Sequence, residues 1–193
     1  MGETGSATVA DYYFDFRVVK KQDCFGLLSS LISQLADKSD PCYDLLSKLY
    51  SDHTRGIGTD EPDIDSLKTC LTDILSMPGQ APIYIIVDAL DESPNSSGNP
   101  SAREEVLKLI EELVQFKLPN LHLCVASRPE MDVRMVLEPL ASFQISLHNE
   151  IGHKEDIIAY IKSVVRSDET MQQLGEEDQN LVIDTLSQRA DCM

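Results

Sequence analysis

The chain is short of positive charge. Lys and Arg number 16 against 33 Asp and Glu, a formal net charge of −17, which opposes non-specific attraction to nucleic-acid phosphates or to an anionic membrane surface. Neither nucleic acid nor membrane is expected as a partner. Long apolar runs are also lacking: none approaches the roughly 20 residues of a membrane-spanning helix, and Met1-Gly2-Glu3-Thr4-Gly5-Ser6 has neither the basic nor the apolar region of a secretory leader. The five cysteines (Cys24, Cys42, Cys70, Cys124, Cys192) are odd in number, scattered and never spaced C-x-x-C, so neither a disulfide framework nor a zinc site is indicated. A reducing, cytoplasmic setting fits best. No serine sits in G-x-S-x-G, and no cysteine has a persuasive histidine partner in sequence. His53, His122, His148 and His153 show no ligand spacing. Nucleophilic hydrolase chemistry therefore has no support. No internal repeat is apparent.

What remains is a globular composition. With 193 residues, 42% apolar, and a mean hydropathy of −0.18, the chain can bury one substantial core. Its organising stretch is Ile83-Tyr84-Ile85-Ile86-Val87-Asp88-Ala89-Leu90-Asp91-Glu92. A short apolar, β-branched run that follows Pro82 and stops at Asp88 reads as a central strand covered on both faces of a parallel sheet. Ligands gather at the carboxyl ends of such strands, which puts Asp88, Asp91 and Glu92 where a ligand would sit. Three carboxylates so close repel one another and are eased by a hard cation such as Mg²⁺. A strand followed by an acidic, solvated turn fits the same residues.

Upstream, Tyr12, Phe14 and Phe16 alternate with Asp11, Tyr13 and Asp15, the pattern of an edge strand with one wet face. Leu27, Leu28, Leu31, Ile32 and Leu35 form one helical stripe. Asp40-Pro41 opens a second helix, with Asp40 as its cap. Residues 53–60 read as a polar loop. From a cap at Asp63, Ile64, Leu67, Leu71, Ile74 and Leu75 mark a third helix. Residues 93–100 are a surface loop. Ser101 and Glu104 then make a capping box for a helix whose inner face carries Val106, Leu109, Ile110, Leu113 and Val114. Leu121 to Ala126 reads as a strand running into Ser127-Arg128-Pro129. Strand, helix and strand at this distance make a right-handed βαβ unit, so Ser127 and Arg128 emerge on the same sheet edge as Asp88. Arg128 is either a surface partner of the acidic cluster or a donor to a phosphate. A short helix over Met131 to Leu137, a strand over 143–147, and two helices marked by Ile157, Ile158, Ile161, Val164 and Val165 and by Leu181, Val182 and Leu186 complete the reading.

Ile85-Ile86-Val87-Asp88-Ala89-Leu90-Asp91-Glu92 resembles the extended Walker B motif of NACHT-type P-loop NTPases, and Leu123-Cys124-Val125-Ala126-Ser127-Arg128-Pro129 resembles their sensor 1 segment. Residues 12–17, the Leu-rich helix, 81–92 and 121–130 together are similar to fungal NACHT proteins with a nephrocystin-3-like N-terminal domain, often joined to ankyrin repeats. The resemblance implies an α/β, P-loop NTPase-like (ASCE/STAND) parallel sheet flanked by helices and followed by C-terminal helices. It implies a partial NACHT domain over 1–150 and the start of a helical extension over 151–193. It also implies roles: Asp88 as metal ligand and cofactor contact, Asp91 and Glu92 as the catalytic acidic pair that handles the attacking water, and Ser127 and Arg128 as cofactor contacts, with Arg128 reading the γ-phosphate. Mg²⁺ and ATP would be cofactors of the full-length parent, a nucleotide-dependent switch with possible self-oligomerisation and a downstream repeat domain. Ala89 stands where many NACHT domains have glycine.

The departure is the phosphate loop. No G-x-x-x-x-G-K-[ST] occurs, and by resemblance the first central strand of the 5-1-4-3-2 order is missing with it. The chain is thus expected to be a fragment whose own nucleotide binding is weak or nil. The alternative is a degenerate scaffold module without nucleotide binding.

Overall fold

The computed structural model describes residues 7–54, 62–95, 100–146 and 151–190. Three strands, β1 (Thr8–Tyr13), β2 (Ile83–Asp88) and β3 (Leu121–Val125), form one sheet in that order, and both pairings are parallel. β2 is the central strand and β1 an edge, as the apolar patterns require. The register sets Ala10 beside Ile85 and Ile85 beside Leu123, while Val9 pairs with Tyr84 and Tyr84 with His122. Because side chains alternate along a strand, these rows define two faces.

Within the first 141 residues, among the described residues, helices cover one of those faces. Ala10, Tyr12, Ile83, Ile85 and Val87 are buried with Phe14 in the core. Val9 and Tyr84, on the other face, remain 47% and 42% exposed. The expectation that β2 is covered on both faces is therefore corrected, and topology supplies the reason. From β1 to β2 and from β2 to β3 the chain steps across the sheet in one direction. Two right-handed crossovers in one direction put all their helices on one side. These helices are α1 (Cys24–Ala36), α2 (Asp40–Thr54), α3 (Ile64–Leu75) and α4 (Ala102–Gln115), and α1 touches β1 and the other three helices.

Local chemistry fixes the helix starts. The Asp23 carboxylate accepts from Gly26 N at 2.8 Å to cap α1, and Asp63 does the same from Ser66 N for α3. Ser101 Oγ accepts from Glu104 N while the Glu104 carboxylate accepts from Ser101 N, the reciprocal capping box read from the sequence. α2 begins one residue earlier than expected: Asp40 lies in its first turn, and Tyr43 N donates to Ser39 O. Its backbone continues through His53 and Thr54, where a loop was expected. The rest of that loop, residues 55–61, lies outside the described residues, as do 96–99, His148 and Cys192. α1 is the core's main contributor, burying Leu27, Leu28, Leu31, Ile32 and Leu35, each side chain giving about 1.5–3 kcal/mol by leaving water. Gly26 is obligatory there, since a Cβ would collide with Lys20 O and crowd the Tyr12 hydroxyl.

Two compact units are present, Met1–Ala141 and Ser142–Met193. The first closes with α5 (Met131–Leu137), and the second pairs α6 (Ile151–Ser167) with α7 (Glu176–Ala190). In α7 the buried residue is Ile183, whereas Leu181 and Leu186 are exposed. The strand expected over 143–147 does not form: residues 143–146 have no regular structure, Phe143 and Ile145 are 82% and 64% exposed, and residue 147 is outside the described set. The alternation is real, but no described strand pairs with this segment, and period-2 spacing without a ladder or a core does not hold a strand.

Candidate functional site at the carboxyl edge of the sheet

β2 delivers Asp88 to the carboxyl edge of the sheet in register with Tyr13 of β1, and one residue past its end β3 delivers Ala126, whose N–H donates to Val87 O at 2.8 Å. Asp88, Asp91, Glu92, Ser127 and Arg128 thus converge on one edge, as the βαβ geometry dictates. Their carboxylates do not face a common point. Each is committed to a different strand end.

Asp88 turns back on its own backbone, Oδ1 accepting from Ala89 N at 2.8 Å. Ala89 itself is left-handed, with φ 54°, which explains why a glycine suits this position. The bend throws Leu90–Glu92 into a single 3-10 turn, with Leu90 fully buried as its anchor. Asp91, its side chain only 13% exposed, reaches the segment after β3: Oδ1 accepts from Arg128 N at 3.0 Å and Oδ2 lies 3.4 Å from Arg128 Nε, while the Ser127 hydroxyl, 3.5 Å from Oδ1, donates to Arg128 O at 2.9 Å. Glu92 reaches the other way, Oε2 accepting from Phe16 N at 3.1 Å in the loop after β1. In that loop the Arg17 guanidinium is bound to Asp15 at 2.9 Å and holds that carboxyl down at about 2, below the usual carboxylate range. Glu92 adds to the negative field around Arg17.

The pairing of Arg128 with the acidic group is therefore present, and its partner is Asp91. The three carboxylates do not crowd one point, because each accepts from a different backbone N–H. Among the described residues, no group of three or more His, Cys, Asp or Glu is arranged to hold a metal ion.

Beneath the edge lies a residue that sequence reasoning passed over. Arg103, in the first turn of α4 and 10% exposed at its side chain, donates from Nε to Ser93 O at 2.9 Å and from Nη2 to Asp91 O at 2.5 Å. Its Nη1 pairs with Asp132 of α5 at 3.2 Å. Asn95 joins the same carboxylate through Nδ2 at 2.9 Å and accepts from Ser101 Oγ. One buried guanidinium thus fixes the acidic turn to α4 and to the helix that follows Arg128. A signal was available: a cation in a helix's first turn opposes the helix dipole, so it needs anions or carbonyls nearby.

A metal–nucleotide cofactor would need both metal and phosphate ligands. Mg²⁺ is usually held by one or two carboxylates with phosphate and water completing its shell, and Asp88 at a strand end suits a single such ligand. Arg128, exposed and held by one edge contact to Asp91, suits a phosphate donor. Phosphate-cradling amides with a lysine have no counterpart in the sequence. Of such a site, Asp88 would be the metal ligand and Arg128 the phosphate donor.

No described helix is long and apolar enough to cross a membrane. No curated protein and no solved structure matches the chain. The sequence model of one family, nephrocystin 3 N-terminal, matches residues 2–128, which spans β1 through Arg128 and so every candidate site residue. On that match, covering more than half of its length, the chain belongs to the nephrocystin 3 N-terminal family.

Proposed function

We propose that this chain is the metal- and γ-phosphate-facing part of a NACHT-type signalling NTPase domain with a P-loop NTPase-like sheet, working inside a nucleotide-dependent molecular switch in the cytoplasm. The observation that carries the reading is the convergence of Asp88, Asp91, Glu92, Ser127 and Arg128 at the carboxyl edge of a parallel sheet, where open α/β sheets bind ligands. In this reading Asp88 is the metal ligand. Glu92 is the better placed of the acidic pair to handle water, because Asp91 is engaged by both the backbone N–H and the guanidinium of Arg128. When bound, Mg²⁺-ATP would supply the γ-phosphoryl group whose charge Arg128 stabilises. Self-association through the domain surfaces and a downstream repeat domain belong to the same proposal.

One observation favours the scaffold reading: Asp91 and Glu92 both act as structural acceptors, tying β2's turn to the segments after β3 and β1. A graft decides between the two. With a strand and a G-x-x-x-x-G-K-[ST] loop fused ahead of β1, calorimetry is expected to give micromolar Mg-ATP affinity that falls at least about tenfold in Asp88→Asn and in Arg128→Ala, the loss of one charge-assisted contact. The ungrafted chain is expected to bind only weakly. Failure of the folded graft to bind, or binding untouched by Asp88→Asn, would favour the scaffold.

A further inference from the structure

Among the described residues β1 is an edge of the sheet, and the central strand missing from the P-loop-type order would not change that, since it would lie beside β3 on the far side. Even-numbered residues along β1 bond inward. Thr8 N donates to Pro82 O at 2.8 Å, and Phe14 N, just past the strand, donates to Asp88 O at 3.1 Å. Backbone groups alternate in direction along a strand, so Val9, Asp11 and Tyr13 turn theirs outward. Thr8–Tyr13 contains neither proline nor lysine, and Val9 and Tyr13 are 47% and 53% exposed. A row of outward N–H and C=O groups among β-branched and aromatic residues is a template for another strand.

One side chain interrupts that row. Gln34, near the end of α1, reaches the edge at its middle residue: Asp11 N donates to Gln34 Oε1 at 3.0 Å, and Gln34 Nε2 donates to Asp11 O at 2.7 Å. Ser30 Oγ, one turn earlier on α1, accepts from the same Nε2 at 3.0 Å and holds the amide in that orientation. A primary amide carries a donor and an acceptor side by side, so it closes both outward groups of Asp11 as a neighbouring strand would. Asparagine is one methylene too short for this reach, and glutamate has no proton to give Asp11 O.

We infer that Gln34 is an edge guard: it shuts the outer side of β1 against strand addition, and the strand it refuses is β1 of a second copy. Two copies of one edge pair antiparallel across a two-fold axis, which sets the same patch against itself. The charge of −17 on each chain does not prevent this by itself, because exposed charges are screened beyond about 8 Å at physiological salt, whereas paired strands lie about 4.8 Å apart. Neither Gln34 nor Asp11 belongs to the candidate site, so the guard acts whether or not nucleotide binds.

The test uses the whole chain. In the parent, the Asp11 amide is expected to exchange about tenfold more slowly than those of Val9 and Tyr13, the scale of one hydrogen bond, and sedimentation is expected to show no pairing through β1. Gln34→Ala, and Gln34→Met, which keeps the length of the side chain but loses both bonds, are checked for folding by circular dichroism. Each is expected to associate as its concentration rises, with new exchange protection at Val9, Asp11 and Tyr13. Adding Val9→Pro removes one outward N–H, a place where an edge strand tolerates proline, and is expected to reverse the association, which a chain that is merely destabilised would not show. Any of four results overturns the proposal. The first two concern the parent: equal exchange at the three amides, or pairing through β1 with Gln34 in place. The others concern the variants: folded chains that associate no more than the parent, or association that Val9→Pro leaves unchanged, which puts the contact elsewhere.

Discussion

Ala89 is the residue at which the motif and the backbone meet. Its φ of 54° costs an L-residue about 1–2 kcal/mol, and glycine gives back about 0.4–1 kcal/mol through its freer unfolded state. Ala89→Gly is therefore expected to raise stability by about 0.5–1 kcal/mol, seen as a Tm increase of about 1–4 °C. A lower Tm would show that the alanine methyl contributes packing that outweighs the strain. Gly26 is the opposite case. A Cβ there meets Lys20 O and the Tyr12 hydroxyl, so Gly26→Ala is expected to cost about 1–3 kcal/mol, the range for overpacking, measured as a lower urea midpoint with unchanged slope. The Ala89 position was legible in the sequence because the motif marks it. Gly26 was not, since nothing local in a leucine-rich helix tells that the Lys20 carbonyl will lie against it.

Among the elements, legibility followed the range of the interaction that decides them. Caps at Asp63 and Ser101 could be read because donor and acceptor are three residues apart. The placement of Asp88 and Arg128 on one edge could be read because a single short βαβ crossover has one hand. The bare face, the unformed strand at 143–146 and the end of α4 could not. The first two depend on which other elements arrive, and the last closes at Lys117 in a left-handed conformation without the usual glycine. The bonds of Arg103 belong to the same class, joining α4 to Ser93, Asp91 and Asp132. Their asymmetry is testable. Asp132→Ala leaves a guanidinium that is 10% exposed without its anion, whereas Arg103→Met removes the charge and keeps most of the packing. Breaking a fully buried pair costs about 3–5 kcal/mol. Asp132 is half-buried, so water lessens this to about 1–3 kcal/mol for Asp132→Ala. Arg103→Met in the Asp132→Ala background is expected to recover part of the loss, measured in a double-mutant cycle from urea unfolding. Strict additivity of the two would show that the pair is not coupled.

At the scale of the whole molecule, the core carries its own pH limit. Tyr12 of β1 and Cys24 of α1 both face the interior. Burial first, then the charges of Asp23 and Cys24, pushes the Tyr12 hydroxyl up from 10.0 to about 12. Burial likewise pushes the Cys24 thiol up from 9.0 to about 12, the nearby Lys68 only partly offsetting it. Both groups are acids that the folded state keeps protonated. Below the unfolded values of 9.0 and 10.0 the two states hold the same protons and stability does not change on their account. Above them the unfolded chain releases protons that the folded chain retains, so the unfolded state gains and stability falls until the folded groups ionise near 12. The thiol acts first and the phenol about one pH unit later, so urea midpoints measured between about pH 8 and 11 are expected to decline with a slope that steepens past pH 10. Cys24→Ala lessens the first step, to which the Cys70 thiol, also raised by burial, still contributes, and leaves the second. Its midpoint at neutral pH is lower through lost packing, yet its decline between about pH 9 and 10 is expected to be shallower than that of the parent chain. Equal slopes in the two proteins would place the alkaline limit elsewhere than at the contact between β1 and α1.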